Sequence, residues 1–212
     1  MGAIIYLLEW AFIIPSGVRV PPEGSGPTEI AEAYAAQPLT GISFMVAGLI
    51  IVLLGRILFS AGVRSVLRQT NETRALGDFA LGAMTVSVVL EIVGEVVRLI
   101  TTQLAAQGAD TTVLTSLHGT WRALFFPVGA ALGASILASS VAMLLSRAFP
   151  RWVAVLGVAT GIFWMGVAFY GTLNNTIPGV GGIGWLAWAV WLLSTGIILF
   201  RRAGPIRSRS VA

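Results

Sequence analysis

Between residues 77 and 100 the chain is apolar enough and long enough to cross a bilayer, yet it carries Glu91, Glu95 and Arg98. A charged side chain near mid-membrane costs roughly 2.5–3.5 kcal/mol on insertion scales. It persists only where a partner or a task compensates it. Spacings of four and three residues set all three groups on one helical face. The stretch predicts a multi-span membrane protein with a polar site in its interior.

Composition agrees. Hydrophobic residues make up 56% of the 212 and charged residues 10%, where a soluble domain of this size carries about 25% charged residues. The net charge of +4 comes from arginine alone, because the chain has no lysine. Those arginines cluster between apolar runs, which is the footprint of membrane orientation rather than of a nucleic-acid-binding face. Without lysine there is no Schiff-base chemistry, so retinal and pyridoxal functions are excluded. Without cysteine there are no disulfides, thiolate nucleophiles or thiolate-held metals. The single histidine, His118, cannot supply a two-histidine haem pair, although it can give one ligand to a porphyrin-type pigment. No metal site, catalytic residue or other cofactor is predicted.

The pattern predicts an all-α polytopic bundle of one domain over residues 1–212. Six spans are read, at about 3–20, 39–63, 77–100, 117–145, 152–173 and 183–200. Arg64, Arg68 and Arg74, then Arg147 and Arg151, then Arg201, Arg202, Arg207 and Arg209 all fall on one side of such a model. The other side carries Arg19 and the acidic Glu23, Glu29, Glu32 and Asp110. The positive-inside rule then puts both termini, including the tail 201–212, in the cytoplasm of a bacterial inner membrane. The short first segment lacks a positive leader and holds Glu9, which disfavours a cleaved signal peptide; a start codon called too late would explain its length. In the outer connection 21–38, Thr28 is expected to cap a short surface helix. The Asn174-Asn175-Thr176 triplet is read as part of a plain outer turn rather than as a glycosylation site.

Depth along the spans suggests which charges meet. Counted from residue 77, Glu91 lies about 21 Å up and Glu95 about 27 Å up, with Arg98 at the outer boundary. Span four enters near Leu117, which puts His118 at the rim and Arg122 about 7 Å below it. Glu91, Glu95, Arg98, His118, Trp121 and Arg122 therefore form a candidate ligand-binding site or a buried charge network between spans three and four. Glu9 and Arg56 reach similar depths, about 12 Å and 10 Å from the cytoplasmic ends, and form a candidate structural ion pair. Gly129 and Gly133, with Gly157 and Gly161, make small-residue faces for close helix approach. Trp164, Tyr170, Trp185, Trp188 and Trp191 read as an interfacial aromatic belt, or as the wall of a lipid-like ligand site. Pro127 is expected to open room beside the polar cluster.

One junction is more specific. Ala148-Phe149-Pro150-Arg151-Trp152-Val153-Ala154 leads into span five, and Trp121-Arg122 lies near the start of a Gly/Ala-rich span four. In this order of pieces the chain resembles the bacterial six-span family catalogued as domain of unknown function 4386. The resemblance implies a six-span fold and topology, and no activity.

The functional reading from sequence is an integral membrane protein, more plausibly not an enzyme, that binds a small or lipidic ligand at an outward-facing polar site. Its partners would be membrane lipids and not nucleic acid. The alternatives are an accessory subunit that contacts lipid, pigment or other membrane subunits, and a membrane-embedded acid/base enzyme using Glu91 and His118.

Overall fold

Each long apolar run becomes one helix. The computed structural model describes residues 8–68, 70–174 and 181–203. A short helix α1 (Glu9–Ile13) leads through a 3-10 turn (Ile14–Ser16) to α2 (Pro27–Ala35). Five long helices follow: α3 (Leu39–Leu67), α4 (Asn71–Ala106), α5 (Thr111–Ser146), α6 (Arg151–Asn174) and α7 (Gly181–Ala203). All five are long and apolar enough to cross a membrane. The chain is a multi-pass helical membrane protein.

The long helices overrun the spans read from hydropathy. At 36 residues each, α4 and α5 extend about 54 Å, well beyond a hydrocarbon core of about 30 Å. Their ends follow capping chemistry instead. Thr70 caps α4 by accepting from the Thr73 amide, 3.2 Å, and Asp110 caps α5 by accepting from the Thr112 amide, 2.7 Å. Hydrogen bonding by the Thr112 hydroxyl, and then by the Thr112 amide, holds the Asp110 carboxyl below its usual pKa. Between the two helices Gly108 takes a left-handed conformation, φ 74°, which ends α4 at little steric cost.

The first segment departs from the expected 3–20 span. Residues 1–7 lie outside the described residues, and the helix ends at Ile13 rather than running on to Val20. Pro15 has no amide to donate, and Gly17 turns left-handed at φ 68°. The Ser16 hydroxyl donates to the Ile13 carbonyl, 2.6 Å. α1 is pinned to α3 where the Phe12 ring lies over Gly48, a spot in which a Cβ would come within 2.1 Å of that ring.

The connection helix α2 starts one residue before the expected Thr28 cap. Pro27 is its first residue, a position suited to the fixed proline φ. The Gly26 amide before it donates to the Glu29 carboxylate, 3.3 Å. Ile30 and Tyr34, one turn apart, are buried against Ala105 of α4 and Leu114 of α5. This fixes α2 across one end of the bundle.

Inside the bundle, serine hydroxyls stitch α4 to α5. Ser87 donates to the Val128 carbonyl, 3.1 Å, and Ser135 to the Ala80 carbonyl, 2.7 Å. Between α5 and α6, Gly133 and Gly161 bring the two backbones together, as the small-residue faces suggest. Trp164, Trp188 and Trp191 are at most 4% exposed, so they form an internal aromatic wall rather than an interfacial belt. Tyr170 is exposed. The Asn174 amide closes α6 by donating to the Tyr170 carbonyl, 2.9 Å, and residues 175–180, expected from sequence to form an outer turn, lie outside the described residues.

Candidate functional site

Arg56 on α3 is 1% exposed and carries the most deeply buried charge among the described residues. Its guanidinium grips Glu91 of α4 with two hydrogen bonds, Nη1 to Oε2 at 2.5 Å and Nη2 to Oε1 at 3.1 Å. The fork matches the carboxylate plane, the strongest form of this interaction. A Glu9 oxygen lies 3.9 Å from Nη2, and the guanidinium stacks 4.8 Å from the centre of the Trp188 ring of α7. The structure therefore brings Glu9 and Arg56 together, as matching depth suggests, and adds Glu91.

One turn along α4, Arg98 hydrogen-bonds both oxygens of Glu95. Both residues are buried, and the Arg98 guanidinium lies 5.1 Å from the Trp121 ring centre on α5. Arg122 reaches the other way. Its Nη2 donates to Glu23 in the connection before α2, 2.8 Å. Depth alone set Arg122 between Glu91 and Glu95, whereas the structure sends Glu91 to Arg56 and Arg122 to Glu23.

The physical reason is the lean of side chains. Every Cα–Cβ bond in a helix tilts toward that helix's N-terminus. Consecutive long helices joined by short connections alternate in direction. On α3 and α4, Arg56 and Glu91 therefore lean toward each other, and long side chains close a gap of about 11 Å between their levels. On α4 and α5, Glu91 and Arg122 lean apart. Arg98 leans back onto Glu95, three residues before it.

His118 leans toward the same end as Arg122 and meets Tyr34 of α2. The Tyr34 oxygen and His118 Nδ1 share a hydrogen bond of 3.1 Å, and the rings stand edge-on at 5.8 Å. Burial, opposed by the charge of Arg98, pushes the Tyr34 hydroxyl up to about 12 from the usual 10. The phenol keeps its proton at physiological pH. The fold favours this protonated form, so its contribution to stability is complete below pH 10 and is lost as the pH rises toward 12. Alkaline unfolding of the wild type is expected to show this loss, and Tyr34→Phe is expected to remove it. A fluorescence-monitored titration of both proteins checks the expectation; identical curves would contradict it.

The bond forms in either of two tautomers: when Tyr34 donates to Nδ1, the His118 proton sits on Nε2. Ligation of a pigment metal by Nε2 would need the reverse tautomer, with Nδ1–H donating to Tyr34. Among the described residues no three metal-ligating side chains converge.

Two cavities flank Trp121. An apolar slot runs between α4, α5, α6 and α7, lined by Gly94, Leu124, Phe125, Gly129, Trp164 and Trp185 among others, with Glu91 and Glu95 as its polar members. Pro127 is exposed on α5 and does not line the slot; its missing amide leaves the Ala123 carbonyl without its helical donor. The slot is narrow, about 30 Å³, where a single water takes roughly 10–15 Å³ on the same measure. On the other side of the indole is a vestibule of about 160 Å³, lined by Val20 and Pro21 together with Glu23, His118 and Arg122.

Sequence reasoning missed two members of this arrangement. Tyr34 was legible as the partner of Ile30 on the apolar face of α2, since four-residue spacing marks one helical side. Glu23 carried no such signal, because a charge in a connection has no depth to match. Comparisons of the chain with protein-family models, with curated proteins and with solved structures find no match.

Proposed function

We propose that this membrane protein binds a slender amphiphile at the polar site between α4 and α5. A few methylenes of a single hydrocarbon chain enter the slot, and a small hydrogen-bonding head sits in the vestibule. The observation that carries this reading is that Trp121 walls two cavities, one almost wholly apolar and one that adds the side chains of Glu23, His118 and Arg122 to a mainly apolar wall. The small volume of the slot admits a few methylenes of an unbranched chain and no ring system. Glu23, His118 and Arg122 offer the head both donors and acceptors.

Gly94 provides a test that leaves the charges untouched. A Cβ there meets only ordinary contacts, 3.7 Å to Trp121 and 3.9 Å to Leu124, so Gly94→Leu fills the slot without forcing the backbone. A single-chain alcohol brominated near its tail is expected to quench the tryptophans of the wild type and to leave Gly94→Leu at least fivefold less quenched. Gly82→Leu, at an open position of the same helix, controls for an added side chain. Equal quenching in all three would contradict the proposal.

The orientation belongs to the same reading. Glu9 lies at the level of Arg56 inside the bundle, which favours residues before it completing a sixth span, with both termini on the arginine-rich side in the cytoplasm. Labelling of tags at both ends in sealed vesicles and after permeabilisation tests this: tags reactive at opposite faces would overturn it.

A further inference from the structure

At the opposite end of the bundle, the α5–α6 connection encloses a recess of about 560 Å³, lined by Met143, Leu144, Arg147, Phe149 and Arg151. Arg202, in the last turn of α7, lies with its guanidinium 5.2 Å from the Phe149 ring centre. Two arginines thus line one apolar-floored hollow, and a third guanidinium lies over the ring of Phe149, one of its lining residues. Among the described residues no ion pair joins any of them to a carboxylate, while Arg64, at the same end, is paired with Asp78.

This accumulation of charge is unfavourable as it stands. Arg151 opens α6, a helix with no acidic residue in its first turn, where the positive end of the macrodipole disfavours a cation. Arg147 holds a left-handed conformation, φ 52°, uncommon for a residue with a side chain. The positive-inside rule accounts for arginines at span ends. It does not account for a hollow between them with Met143 and Phe149 buried as its floor. An anion in the hollow relieves the like-charge repulsion, and an apolar floor with exposed Leu144 and Trp152 beside it suits the glycerol and upper acyl region attached to that anion.

We propose that the recess lined by Arg147 and Arg151, with Arg202 beside it across Phe149, binds the phosphate of an anionic phospholipid headgroup. Each guanidinium offers paired donors that match phosphate oxygens. A basic residue at a membrane surface adds about fivefold to the binding of an anionic lipid, so two removed together weaken binding about 25-fold on the same constants.

The test uses the full chain in detergent with phosphatidylglycerol, phosphatidylcholine or inorganic phosphate, read by native mass spectrometry and thermal shift. The wild type is expected to retain phosphatidylglycerol over phosphatidylcholine. The Arg147→Gln/Arg151→Gln and Arg151→Gln/Arg202→Gln pairs are expected to lose that preference about 25-fold. Arg68→Gln, at the same end but outside the recess, is expected to keep it. All the altered side chains are exposed, and an unchanged melting temperature without lipid confirms that each variant folds. Equal loss in Arg68→Gln, or no preference between the two lipids in the wild type, would overturn the proposal. Stabilisation by inorganic phosphate as large as that by the lipid would assign the recess to a free anion and equally overturn it.

Discussion

Arg56→Met is expected to destabilise the folded protein by about 3–5 kcal/mol, because removing one member of a buried pair strands the other. The arginine is 1% exposed. Its loss leaves Glu91 without the two hydrogen bonds at 2.5 Å and 3.1 Å. It also leaves Glu9 without the guanidinium 3.9 Å away and removes the stack on Trp188. Methionine keeps most of the side-chain volume, so a cavity contributes little and the effect reports the charge. Arg56→Lys keeps the charge but presents no fork, and it should fall between wild type and Arg56→Met. Adding Glu91→Leu to Arg56→Met is expected to restore part of the stability, since an apolar pair can replace a buried ion pair. Thermal unfolding in a single detergent, with the four proteins side by side, provides the comparison. A double variant less stable than Arg56→Met would show that Glu91 has a second stabilising role.

The second large effect is expected at the α5–α6 contact. Gly161→Leu places a Cβ 2.7 Å from the Leu137 amide nitrogen and 2.8 Å from the Gly133 carbonyl. Both are backbone atoms, so no side-chain rotation relieves the clash and the helices must separate. Overpacking costs typically 1–3 kcal/mol and occasionally more; with rigid backbone on both sides the upper end of that range is expected. Gly166→Leu, on the same helix with nothing within 4 Å, should leave stability within about 0.5 kcal/mol of wild type, as exposed substitutions do. Melting temperature and elution volume in detergent distinguish the two. A wild-type melting temperature for Gly161→Leu would mean that the helices do not approach as closely as described.

Much of this bundle is legible in the order of residues, and the remainder fails for physical reasons. Apolar length marks each of the five long helices, because a spanning segment must satisfy its own backbone and be covered by apolar side chains. It does not mark where the helix ends. Thr70, Asp110 and Gly108 do that, lying outside the apolar runs, and they lengthen α4 and α5 to 36 residues each. In the first segment, Pro15 and Gly17 stop the helix within a stretch whose hydropathy alone allows it to continue.

The cost of burying charge singles out Glu9, Arg56, Glu91, Glu95 and Arg98, and all five are found in buried ion pairs. Partner choice is another matter. Residue depth along an axis gives the position of a Cα, while the charge sits several ångströms away in a direction set by helix polarity. Adding that lean to the depth arithmetic brings Arg56 to Glu91 and carries Arg122 away toward Glu23. The tryptophans fail for a related reason: composition places them in the outer half of the spans, but only the packing of α6 and α7 decides whether Trp164 and Trp188 face lipid or the Arg56 site.

The central claim is that helix polarity sorts the buried charges, with Arg56 and not Arg122 as the partner of Glu91. Two double-mutant cycles measure this directly, one pairing Arg56→Met with Glu91→Gln and the other pairing Arg122→Met with Glu91→Gln. The account predicts a coupling of about 2 kcal/mol or more in the first cycle, as for a close buried charge pair, and less than about 0.5 kcal/mol in the second. Strong coupling between Arg122 and Glu91, with none between Arg56 and Glu91, would contradict it.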